Sequence, residues 1–67
     1  MHVFLNNKPV SIIKEIPIQS FLTEIKIFDL EGMAIAINET VIPKTEWENF
    51  LLKDNDAVLL IKATAGG

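Results

Sequence analysis

The sequence contains no cysteine, which removes a disulfide framework, a thiolate metal site and a cysteine nucleophile together. Its single histidine, His2, has no evident partners for a zinc-type cluster or a catalytic triad. No glycine-rich phosphate loop occurs. Lysine and arginine never form a run, and the net charge is −3. Phosphate backbones are bound by basic side chains that displace counterions, so a nucleic-acid role is disfavoured. No apolar run approaches the roughly 20 residues that span a bilayer. The segment Met1-His2-Val3-Phe4-Leu5-Asn6 lacks the basic region and long apolar stretch of a signal peptide. These absences lead to the expectation of a soluble cytoplasmic protein that binds neither nucleic acid nor membrane.

What is present is an apolar, single-domain chain. Its 67 residues leave no room for a second core, and 49% of them are hydrophobic. A domain of this size buries only about 60% of its unfolded surface, so ordinary packing has to be efficient. His2 to Asn6 alternates, with Val3 and Leu5 on one parity and His2, Phe4 and Asn6 on the other, as in a strand. Asn6-Asn7-Lys8 reads as a tight hairpin turn, because asparagine tolerates positive φ. Pro9 to Lys14 resumes the alternation with Val10 and Ile12 inward. Proline at its start suits an edge strand.

The period then changes. Ile18, Phe21, Leu22, Ile25 and Phe28 fall on one face of an amphipathic helix of about three turns, begun at Pro17, with Gly32 shortly after it to end it or turn the chain back. Met33 to Asn38 reads as a strand, with bulky Met33, Ile35 and Ile37 on one parity and small Ala34 and Ala36 on the other. Asn38-Glu39-Thr40 turns the chain into a short strand, Val41-Ile42, stopped by Pro43. Thr45 and Glu48 match a capping box that opens a short helical turn with Trp47 and Phe50 inward. Asp54-Asn55-Asp56 forms a turn with Asn55 left-handed. Ala57 to Ala63 is the last strand, central in the sheet. Lys62 marks the parity of Val58 and Leu60 as the side away from the helix, which leaves Leu59 and Ile61 inward.

The sequence ends Ala65-Gly66-Gly67. Two terminal glycines arise by chance in about one chain in two hundred. Glycine has no Cβ, so an enzyme can close tightly around such a tail. The series Ala36-Ile37-Asn38, Val41-Ile42-Pro43-Lys44, Trp47, Asp54-Asn55-Asp56 and Ala65-Gly66-Gly67 resembles the ThiS family of thiamine-biosynthesis sulfur carriers, nearly end to end. There are three departures. Asn55 stands in place of glycine in the acidic turn. Lys44 replaces arginine and loses its bidentate fork. Pro17 stands where a threonine commonly opens the helix.

The resemblance implies an α+β, ubiquitin-like β-grasp fold: a mixed sheet of about five short strands, one main helix on one face and a short helical turn. The domain would run over 1–63, with a flexible tail at 64–67. It also implies a carrier rather than an enzyme. A ThiF-type adenylating enzyme, using its own ATP and magnesium, would activate Gly67. A persulfide donor would then convert it to a thiocarboxylate, and a ThiG-type thiazole synthase would take the sulfur. Ala65, Gly66 and Gly67 would thread the partner's channel, the segment from Ala63 onward extending about 17 Å. Docking is expected on the sheet face opposite the helix, through Phe4, Val58, Leu60 and Lys62. No intrinsic cofactor or metal and a monomeric state are expected. Two related alternatives stay open, the small subunit of molybdopterin synthase and a ubiquitin-like modifier joined through Gly67. A third is an interaction domain with an inert tail.

Overall fold

A computed structural model of the chain describes residues 1–63. The expected tail at 64–67, including Ala65, Gly66 and Gly67, lies outside the described residues. Strands β1 (His2–Leu5) and β2 (Lys8–Ser11) form an antiparallel hairpin. Its two-residue turn holds Asn6 at φ 48 and Asn7 at φ 70, the doubly left-handed geometry that matches strand twist. After β3 (Ile16–Pro17) and helix α1 (Ile18–Glu24), β4 (Met33–Ile37) and β5 (Thr40–Ile42) make a second hairpin of the same kind, with Asn38 at φ 49 and Glu39 at φ 72. Following β6 (Leu51–Leu52), β7 (Ala57–Lys62) inserts between the hairpins, parallel to β1 and antiparallel to β4.

The sheet order is therefore β2-β1-β7-β4-β5, and β3 pairs with β6 in a separate ribbon. Ile18, Phe21 and Leu22 of α1 join Val3, Met33, Ile35, Ile37, Ile42 and Val58 of the sheet in one buried core. This is the expected β-grasp arrangement, with Pro9 on edge strand β2 and β7 at the centre. Strand β2 is shorter than the alternation implied, ending at Ser11. Beyond it Ile12 is still buried, and its N–H donates to the Met1 carbonyl.

The helix is shorter than its apolar spacing suggests. It stops at Glu24, and Phe28 is 72% exposed rather than on the core face. The cause is a Schellman closure: the Ile27 N–H donates to the Leu22 carbonyl at 2.9 Å and the Lys26 N–H to that of Thr23 at 3.0 Å. Lys26 takes the left-handed position at φ 64, where glycine is usual. Lys26→Gly is accordingly expected to stabilise the fold by about 0.5–1 kcal/mol, seen as a thermal midpoint roughly 2–8 °C higher. A lower midpoint would contradict the strain at this residue.

The capping box does not form. The 3₁₀ turn begins two residues earlier than a Thr45 cap would place it, over Lys44–Glu46 after Pro43, with no side-chain cap, since proline presets the entry and Thr45 already lies inside the turn. Trp47 and Phe50 do turn toward the core, and their backbone does more than fill it. The carbonyls of Phe50 and Trp47 accept the N–H groups of Ile18 and Gln19, at 2.9 and 3.1 Å. They thereby satisfy the first turn of α1, where the N-cap residue Pro17 has no side-chain oxygen to offer.

Candidate functional site

The chain leaves the sheet from its central strand. At the end of β7 the Ala63 N–H donates to the Gly32 carbonyl at 2.9 Å. Gly32, at φ 72, is required there: a Cβ on it would stand 3.0 Å from the Ala63 carbonyl oxygen. Gly32 thus shapes the approach to β4 beside the root of the tail, while Lys26 ends the helix. Next to it, Lys62 Nζ donates to the Asp29 carboxylate at 3.0 Å and to the Asp29 carbonyl at 3.1 Å. The hydrogen bond from Lys62, the Glu31 N–H bonded to the same carboxylate and the charge of Lys62 hold the Asp29 carboxyl below its ordinary value of 3.8.

The expected facing of β7 is inverted. Val58 is only 2% exposed and Leu60 is half-buried against the core, whereas Leu59 and Ile61 are 49% and 55% exposed. Val58, Leu60 and Lys62 therefore do not form a docking face with Phe4. Lys62 shares the inner parity without being buried: its side chain is 43% exposed and its Nζ meets Asp29 in the loop after the helix. Its charge was a sign of the strand's end, not of the solvent side.

The outer face is instead Phe4, Ala57, Leu59 and Ile61, continued across Ala34 and Ala36 to exposed Val41. Ala36 lies opposite Leu59 on one side and Val41 on the other, so the alanines form the floor of a groove between larger apolar side chains. His2 abuts Phe4 edge-on, with ring centroids 5.1 Å apart. A hollow of about 210 Å³ opens here among Phe4, Ala36, Ala57 and Leu59. That is below the roughly 300 Å³ at which ordinary small-molecule pockets begin, and suits a partner's side chain better than a nucleotide.

Two asparagines that the sequence reading treated only as turn formers also brace β7. The Asn6 side chain accepts the Leu60 N–H at 2.8 Å and donates to the Leu60 carbonyl at 3.2 Å, extending the β1–β7 ladder past the end of β1. Asn38 accepts the Ala57 N–H at 2.9 Å and donates to Asp56 at 3.0 Å, pinning the start of the strand. Asp56 in turn accepts the Lys53 N–H, closing the acidic turn in which Asn55 is left-handed at φ 69. A residue whose single side-chain amide offers both an acceptor and a donor at a hairpin corner was the available signal.

Among known proteins, a model of the ThiS family matches residues 3–67. Over 36 residues the chain is 39% identical to the sulfur carrier protein ThiS of Escherichia coli (strain K12), a match covering 54% of each chain. The aligned part thus spans about half the length of that relative. The crystal structure of the thiamine biosynthesis protein ThiS from Geobacter metallireducens superposes with a TM-score of 0.86, covering all of both chains at 23% identity. A solution structure of a thiamine biosynthesis protein from the same organism gives 0.79, covering all of this chain and 88% of that one at 23% identity. At such identity these two likenesses concern the fold.

Proposed function

The chain belongs to the ThiS family, and on that premise we propose that it is a sulfur carrier for thiamine biosynthesis, loaded at the Gly67 carboxylate. A carboxylate resists nucleophiles because it is already negative and oxide is a poor leaving group. Attack of a Gly67 oxygen on the α-phosphorus of ATP makes an acyl-adenylate and releases pyrophosphate. The terminal sulfur of a persulfide then attacks the acyl carbon and expels AMP. A second thiol cleaves the resulting S–S bond, becoming part of a disulfide and leaving a thiocarboxylate on Gly67. With no cysteine in the chain, carried sulfur has its place on that carboxyl.

The observation that carries this reading is the position of β7. It is the central strand, hydrogen-bonded on both sides, and in the sequence only Ala63 and Thr64 stand between its last residue and Ala65-Gly66-Gly67. ATP and magnesium are assigned to a ThiF-type activating enzyme, the persulfide to a separate donor and the sulfur acceptor to a ThiG-type thiazole synthase. On this reading the carrier works as a soluble monomer in the cytoplasm. Separately, no helix among the described residues is long and apolar enough to cross a membrane. The partner enzyme seats on the outer face at Phe4, Leu59 and Ile61, because the strand that supplies two of these residues also delivers the tail.

The direct test is intact mass after incubation with the activating enzyme, ATP and a persulfide donor. Replacement of one oxygen by sulfur at Gly67, absent when ATP is omitted, is the expected result. Recovery of the chain in isopeptide linkage to lysines of other proteins would favour a modifier instead. A deletion strain that lacks molybdoenzyme activity but grows without thiamine would move the assignment to molybdopterin synthesis.

A further inference from the structure

Lys62 and Asp29 have no part in the outer face and no part in the core, yet they join the last residues of β7 to the loop after the helix. Lys62 Nζ is bound twice to one residue, through the carboxylate and the carbonyl of Asp29. The other carboxylate oxygen of Asp29 accepts the Glu31 N–H at 3.2 Å, which folds the loop back toward Gly32. The Gly32 carbonyl takes the Ala63 N–H, and Met33 lies opposite Lys62 in the ladder. The last residue of the strand and the residue after it are thus each tied to the 29–33 segment, by contacts independent of the hydrophobic core.

We propose that this Lys62–Asp29 clasp is a positioning device that sets the direction in which the chain leaves the sheet, so that a docked enzyme receives Gly67 at its reacting centre. The inference rests on the carrier reading above. Only four residues separate Ala63 from the carboxyl, a reach of at most about 13 Å, so where Ala63 is held bounds where the carboxyl can be delivered. Holding a reacting group near its attack geometry lowers the entropy lost in the reaction itself. The clasp acts on turnover and leaves docking through Phe4, Leu59 and Ile61 alone.

The test is ATP–pyrophosphate exchange by the activating enzyme with the full-length carrier, comparing wild type, Lys62→Met, Asp29→Asn and the exchanged pair Lys62→Asp/Asp29→Lys. Each single variant is expected to lower kcat about two- to fivefold, the scale of a half-exposed ion pair, with KM for the carrier unchanged. The exchanged pair is expected to recover at least part of kcat. Amide exchange at Ala63 is expected to quicken in both single variants, and the Asp29 carboxyl to titrate at higher pH in Lys62→Met. Unchanged kcat in both single variants, or kcat and KM shifting together with the thermal midpoint, would overturn the positioning role. Should the wild type itself support no exchange, the carrier reading fails, while Ala63 exchange still reports whether the clasp holds the root.

Discussion

Leu59→Lys is expected to leave the chain folded and to raise the KM of the activating enzyme for it by about thirtyfold or more. Leu59 occupies the middle of the outer face, opposite Ala36 and 49% exposed, so its loss opens no cavity in the core. Lysine there costs the free chain about 1 kcal/mol at most through lower strand propensity. In the complex the same change removes a central apolar contact and forces an ammonium group into a water-excluded patch. Truncating such a central residue typically costs 2 kcal/mol or more of binding, and an unpaired buried charge adds to that. Ser20→Lys is the control: it adds the same charge on the exposed face of α1, across the sheet from the face in question. Circular dichroism should be native for both variants, and exchange kinetics should separate them. A Leu59→Lys chain with wild-type KM would remove the outer face from the docking site.

Trp47→Ala is expected to unfold most of the protein at ambient temperature. The indole is 1% exposed, its Nε1–H donates to the Ile42 carbonyl at 2.8 Å, and Lys44 Nζ lies 5.9 Å from the ring centroid. Truncating a buried tryptophan costs about 3–5 kcal/mol. A domain of this length holds only about 3–10 kcal/mol of stability in all. The loss also loosens the segment whose carbonyls cap α1 and leaves the Ile42 carbonyl short of a donor. Trp47→Phe keeps much of the apolar volume and loses the hydrogen bond, so it should stay folded with a lower midpoint in denaturant. Native stability in Trp47→Ala would mean that the 3₁₀ turn is peripheral to the core.

The hairpins were legible because their signals are local. Asn6-Asn7 and Asn38-Glu39 sit between alternating strands, and asparagine accepts the left-handed backbone such turns demand. The Met33–Ile37 strand was legible too, since its bulky and small residues separate by parity, and Met33, Ile35 and Ile37 are buried as that pattern requires. The end of the helix was not. Apolar Ile25 and Phe28 continue the helical spacing, and the residue that stops it is a lysine, whose identity carries no stop signal. The pairing of Ile16–Pro17 with Leu51–Leu52 was equally hidden, because two-residue strands have no period to read.

By itself the sequence determined the order of the five main strands and the helix, the central last strand, the buried tryptophan and the glycine pair on which the proposed carrier chemistry depends. Each follows from local composition, turn residues or a short apolar run. Only the tertiary structure decided which side of β7 packs on the core and which faces outward. Val58-Leu59-Leu60-Ile61 is apolar on both parities, so alternation cannot tell core from surface there, and a shift of one position exchanges the two faces completely. The register with β4 and β1 resolves it, placing Val58 under the helix and Leu59 and Ile61 outside. A central strand with a helix on one side and an exposed apolar face on the other has lost the polar alternation that would mark its solvent side. Lys62, the one charge in the strand, marks instead its last residue, where it pairs with Asp29 in the loop after the helix.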